Sequence, residues 1–132
     1  MADSKSVSSG SNATSDALTL NDDSVAINIQ LKADNSGTPA SGDTVTFYVL
    51  ETLGDPDGAS TDEYSTYENC VPIVVDTNTS DPALAVVGIR TAVKAIKVYA
   101  VNNASSNAIT VSATTMNLDD AGVQAEQQVE WT

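Results

Sequence analysis

The most constraining feature of this chain is an alternation of period two. Val25, Ile27, Ile29 and Leu31 interleave with Ala26, Asn28, Gln30 and Lys32. In an extended strand, successive side chains point to opposite faces, so this pattern predicts a strand with one buried face. The pattern recurs. Val45, Phe47 and Val49 oppose Thr44, Thr46, Tyr48 and Leu50 over a strand expected from about Thr44 to Glu51. Tyr48 and Leu50 make that second face partly apolar, as if something covered it. Ile96, Val98 and Ala100 alternate with Lys97, Tyr99 and Val101, and Ile109, Val111 and Ala113 share one face.

Turn chemistry separates these runs. Asn35-Ser36-Gly37-Thr38-Pro39 and Thr77-Asn78-Thr79-Ser80-Asp81-Pro82 are rich in residues that break strands. Val71 to Asp76 reads as a strand, with Pro72 marking an edge or a start. Ala83 to Val87 is short and apolar. Tyr64 to Glu68 is either a short strand or part of a loop. Thr91 to Ile96 has some helical character, but the β-branched alternation favours a strand from about Lys94 to Asn102. That strand, the loop Asn102 to Asn107 and a strand from Ala108 to Thr114 are expected to form an antiparallel hairpin.

The fold class expected is all-β: a β-sandwich, jelly roll or Ig-like domain of about seven to eight short antiparallel strands. Three regions are expected. Residues 1–16 are small and polar and read as a flexible or partner-ordered arm. Residues 17–116 form the sandwich, and residues 117–132 form a polar tail. Ala121 to Glu130 is open to a helical turn or a last strand. Trp131, the single tryptophan, reads as an anchor on some surface, its own or a neighbour's.

Composition narrows the function. The net charge is -13, with 18 acidic residues against 5 basic ones. Binding to phosphate backbones or anionic lipid needs clustered cations, so neither nucleic acid nor a membrane is an expected partner. There is no histidine, so Ser-His-Asp and Cys-His arrangements and imidazole metal ligands are excluded. Cys70 is the lone cysteine; it precludes an internal disulfide and is expected to be a small buried apolar residue. No phosphate-cradling Gly-rich motif is present. These absences lead to an expectation of no enzymatic activity, with no catalytic residues and no cofactor. The first residues lack the basic-then-apolar pattern of a secretory signal, which gives an expectation of synthesis in a cytoplasm.

One acidic loop invites a metal reading. Asp55, Asp57, Asp62 and Glu63 fall within one glycine-containing stretch, and calcium takes six to eight oxygen ligands from such loops. Asp55-Pro56-Asp57-Gly58 has a faint likeness to the start of an EF-hand loop, but the later ligand positions are misplaced. A solvated turn shaped by Pro56 and Gly58 competes with calcium there.

Several runs together carry a resemblance. They are Gly42-Asp43-Thr44-Val45-Thr46-Phe47-Tyr48-Val49-Leu50, Gly54-Asp55-Pro56-Asp57-Gly58-Ala59, Val75-Asp76-Thr77-Asn78-Thr79-Ser80-Asp81-Pro82-Ala83, and Lys94 through Val111. They resemble small β-rich virion structural proteins of tailed bacteriophages, of the head-decoration or cement kind. The resemblance spans residues 25 to 114 in strand and turn pattern. It implies a protein of the virion's capsid surface, made in the host cytoplasm. Its partners would be the major capsid protein and copies of itself, in a homo-oligomer. Trp131, Tyr48 and Leu50 are the expected interface residues. The alternative is an Ig-like receptor- or glycan-binding module of a phage tail, fibre or surface adhesin, reading its ligand with loops such as Asp55 to Glu63 or Asn102 to Asn107.

Overall fold

The computed structural model describes residues 2–54, 58 and 61–132. Its ten strands are β1 (Lys5–Val7), β2 (Asn12–Thr14), β3 (Leu18–Thr19), β4 (Ser24–Asn35), β5 (Thr44–Thr52), β6 (Ile73–Asp76), β7 (Ala83–Ile89), β8 (Ala95–Asn102), β9 (Ile109–Asp119) and β10 (Gln124–Gln128). One 3-10 turn spans Tyr67–Asn69. The strands build two antiparallel sheets. The first runs β1-β9-β4-β7, with β10 also on β9; the second runs β2-β8-β5-β6, with β3 also on β8. The chain is an all-β sandwich, as the alternation predicts.

The core lies between the sheets and is aliphatic. Ile29, Leu31 and Ala33 of β4 and Ile109 and Val111 of β9 meet Val45 and Phe47 of β5 and Ile96, Val98 and Ala100 of β8, all fully buried. Aromatic residues make up only 5% of the chain. β-branched side chains therefore fill the space, and they pack well on pleated surfaces. Burying each large apolar side chain contributes about 1.5–3 kcal/mol.

Val25 departs from its expected face. The β4–β9 register slips between Ser24 and Ala26, so β4 carries one extra residue there. A bulge residue leaves the alternation, and Val25 is accordingly exposed while Ile27 resumes the inward face.

The expected hairpin of the segments on either side of Asn102 to Asn107 does not form. β8 belongs to the second sheet and β9 to the first, so the connection is an arch between sheets. Asn102 holds that arch. Its Nδ2 donates to the carbonyls of Val7 and Asn107, and its Oδ1 accepts from the Ala104 amide. A buried side chain that replaces backbone pairing in this way lets the chain leave one sheet and enter the other.

The terminal segments are likewise not arm and tail. β1 lies on β9 and β2 on β8. Ser15 extends this pairing: its amide donates to the Val98 carbonyl and its Oγ accepts from the Val98 amide. β10 pairs with β9 along Leu118–Thr114, beside the stretch that β1 occupies. The β9–β10 turn is set by Asp119 Oδ1, which accepts from the amides of Ala121 and Val123, and by Gly122 at φ 80°. Ala2 and Trp131 then exchange backbone hydrogen bonds of 3.0 and 2.7 Å. The two ends of the chain thus close the same edge of one sheet.

A buried polar knot pins the loops beside the Asn102 arch. Asp43 is 2% exposed. Its Oδ2 accepts from Asn35 Nδ2, Asn107 Nδ2 and the Ala40 amide, and its carbonyl accepts from Thr77 Oγ1 and the Thr77 amide. The knot joins three loops to one residue, two through its carboxylate and the third through its carbonyl. Gly37 fits beside it because a Cβ there would come within 2.7 Å of Asn107 Oδ1.

Candidate functional site

The outer face of the second sheet gathers all four tyrosines of the chain. Alternation on β5 turns Phe47 inward and Tyr48 and Leu50 outward; on β8 it turns Val98 inward and Lys97 and Tyr99 outward. The register sets Tyr48 opposite Tyr99 and Leu50 opposite Lys97. The other two tyrosines come from the segment between β5 and β6. Ser65 ties that segment to the strand: its amide donates to the Glu51 carbonyl, and its Oγ accepts from the Glu51 amide. The 3-10 turn then brings Tyr67 over the sheet.

The rings form a cluster. Tyr67 lies 4.9 Å from Tyr99 and 5.4 Å from Tyr48, centroid to centroid, and Tyr48 lies 5.9 Å from Tyr99. The Tyr48–Tyr67 pair is edge-on at 60°, and the other two are tilted. These separations match favourable aromatic pairs, worth about 0.5–1.5 kcal/mol each beyond burial. Lys97 Nζ sits 4.5 Å from the Tyr64 ring centre, a cation–π contact. Tyr48, Leu50 and Tyr99 are half-buried and Tyr67 is 41% exposed.

Two of the five cationic side chains, Lys94 and Lys97, border this face. Besides Lys97, Lys94 Nζ pairs with Asp62 at 2.9 Å. Arg90 grips Glu51 with two nitrogens, Nε to Oε2 at 3.1 Å and Nη2 to Oε1 at 3.2 Å. Such exposed pairs add little stability; the Lys94–Asp62 pair lies beside Tyr64, and the Arg90–Glu51 pair lies at the mouth of a cleft between the sheets. The Arg90 guanidinium is held above its ordinary range by its hydrogen bond and charge pairing with Glu51. Burial raises the Tyr99 hydroxyl, helped by Tyr67, Tyr48 and Glu68 nearby. Burial also raises Tyr64, with Asp62 adding and Lys94 opposing. Both phenols stay neutral and keep their protons as donors across the ordinary pH range.

Behind the Arg90–Glu51 pair is a cleft of about 370 Å³ between the two sheets, with Val49, Ile73, Val87 and Ile89 on its walls and Cys70 at its side. Cys70 is half-buried there, not in the core as expected. Its Sγ contacts the Thr66 carbonyl at 3.3 Å, because the 3-10 turn carries it out of the adjoining strand.

The expected site residues separate. Tyr48 and Leu50 share the tyrosine face. Trp131 does not join them: it is 2% exposed and packs within the chain's own core. The Ala2 bridge and the burial of Val129 draw the chain end inward, so this anchor is internal. Of the calcium candidates, Asp55 and Asp57 lie outside the described residues; Asp62 is paired with Lys94, and Glu63 is exposed. Among the described residues, no three acidic, histidine or cysteine side chains come together in a metal-binding group. The Asn102 to Asn107 loop spends its amides internally, on Val7, Thr38, Asp43 and itself.

Sequence reasoning missed Tyr64, Tyr67 and Tyr99 as members of the site. The signal available was the outward parity of Tyr48 and Tyr99 on two strands, which become neighbours only through register. No protein-family model matches the chain, and no curated protein matches it.

Proposed function

We propose that this chain is a non-enzymatic virion structural protein that docks on the outer surface of a capsid lattice and stabilises it. The observation that carries the docking role is the collection of all four tyrosines on one outer sheet face. Tyrosine supplies large, rigid contact area at low entropic cost and is enriched in binding surfaces. The surrounding cations lessen the repulsion that a chain of charge -13 brings to a partner. A rigid sandwich with both ends paired into its sheets suits a part that staples neighbouring subunits. The choice of the major capsid protein as partner rests on the strand-and-turn resemblance to head-decoration proteins. No cofactor enters this role.

The test is co-sedimentation of the purified protein with particles that lack it. Saturable binding is expected, with an affinity that falls at least about tenfold for Tyr67→Ala, since a central interface aromatic contributes about 2 kcal/mol or more. Tyr67 lies outside the strands, so this variant keeps the sandwich. No binding by the unaltered protein would sink the proposal.

A second reading has one observation in its favour. An exposed tyrosine ring such as Tyr67 offers an apolar face and a polar tip, which also suits a sugar ring. A receptor- or glycan-binding module of a tail, fibre or adhesin would bind cells or glycans, be displaced by free sugar, and ignore capsids.

A further inference from the structure

We propose that two copies of this chain pair edge to edge through β7, antiparallel about a two-fold axis. β7 is the outer strand of the first sheet, with β4 as its neighbour on one side and no strand on the other among the described residues. Natural edge strands are blunted by charge, proline or shortness. The other edges follow that rule: β1 carries Lys5, β10 carries Glu126, β6 ends in Asp76, and β2 and β3 have three and two residues. β7 has seven residues, Ala-Leu-Ala-Val-Val-Gly-Ile, without charge or proline. Leu84 is 53% and Val86 62% exposed. Exposed Val74 of β6 lines one shallow groove with Leu84.

The strip is complementary to itself. Antiparallel pairing centred on Val86 sets Val86 against Val86 of the second copy. Leu84 then faces Gly88, whose missing side chain leaves room, and Gly88 faces Leu84 in return. The same register brings Arg90 of each copy, which holds Glu51 but keeps its side chain exposed, beside the exposed Asp81-Pro82 corner of the other, so that opposite charges approach twice. An isologous contact of this kind closes as a dimer and does not propagate. The backbone groups on the free side of β7 gain partners, and the two five-stranded sheets become one. This pairing is independent of what the tyrosine face binds.

The test is sedimentation velocity on the full chain at about 0.1 mM, a concentration that populates micromolar dimers, at low and at high salt. A mass twice the 13.6 kDa of the chain is expected. The dimer is expected to tighten as salt rises, because screening relieves repulsion between two acidic bodies. Val86→Lys places two ammonium groups opposite each other and is expected to weaken the dimer at least about tenfold. Its melting and circular dichroism should be retained, because Val86 points to solvent. A monomer at both salts overturns the proposal, as does a dimer that Val86→Lys leaves intact. A monomer that still attaches to particles removes this inference alone; a dimer that attaches to none removes only the docking proposal.

Discussion

Tyr48 and Tyr99 stand directly opposite each other on β5 and β8, and Tyr67 from the following segment closes over both rings. Two remote strands and a loop thereby converge on one aromatic surface. Nothing in the core needs this cluster, since Phe47 and Val98 already fill the inner side of the same strand pair.

The raised hydroxyls of Tyr64 and Tyr99 give an alkaline signature. An unfolded tyrosine titrates near about 10. Above that pH the folded state holds more protons than the unfolded state, so stability falls as pH rises. The contribution is complete below about pH 10 and is lost as pH passes through the folded values. Tyrosinate absorbance should show two late-titrating phenols, and Tyr99→Phe should remove one of them. A Tyr99→Phe variant whose absorbance titration keeps its full late-titrating amplitude would contradict this.

Asp43 is expected to be the most sensitive polar position. Asp43→Ala leaves the buried amide of Asn35 and the less buried donors of Asn107 and Ala40 each one bond short, and a buried unsatisfied group costs about 1–3 kcal/mol. Chemical denaturation should show a loss of about 2–5 kcal/mol on that basis. Asp43→Asn, which keeps one carbonyl oxygen for these donors, should lose less. A loss within about 0.5 kcal/mol for the alanine variant, the range of ordinary surface substitutions, would contradict the knot.

The chain ends should behave as structure. Trp131→Ala opens a large void in the core and is expected to cost about 3–5 kcal/mol by denaturant melting. Deleting residues 2–16 removes β1 and β2, uncovers parts of β8 and β9, and leaves Val98 without the Ser15 bonds. That protein should be unfolded or aggregated. A stable, soluble truncation with an unchanged midpoint would show that these segments are appendages after all.

Asn102→Ala offers a local check on the arch. It removes two donor bonds and one acceptor bond at a 1% exposed position, so a loss of about 2–4 kcal/mol is expected. Hydrogen exchange at Ala104 should speed up most, because its amide loses its partner.

The inner faces were legible in the sequence because burial imposes a period of two. Ile27, Ile29 and Leu31, Val45 and Phe47, Ile96, Val98 and Ala100, and Ile109, Val111 and Ala113 all take the expected side. Three things were not legible, each for a physical reason. The bulge at Val25 is a property of the pairing with β9 and leaves no mark on β4 alone. β1, β2 and β10 are short and polar. They gain order from backbone pairing on β8 and β9, and only Val7, Val129 and Trp131 add deep apolar burial. The hairpin expectation failed because a short polar loop joins partners within a sheet or across sheets equally well; the buried amide of Asn102 decides between them. Half of the tyrosine face was visible in the parity of Tyr48 and Leu50. The rest depends on strand register and on a loop without periodicity.

The central claim is that the tyrosine face seats this protein on a capsid lattice. Cryo-electron microscopy of particles carrying the protein tests it most directly. The account predicts regular, near-stoichiometric density on the outer shell, with Tyr48, Tyr67 and Tyr99 against the major capsid protein. Density confined to the tail, no density at all, or a sandwich attached with its tyrosines facing solvent would contradict it.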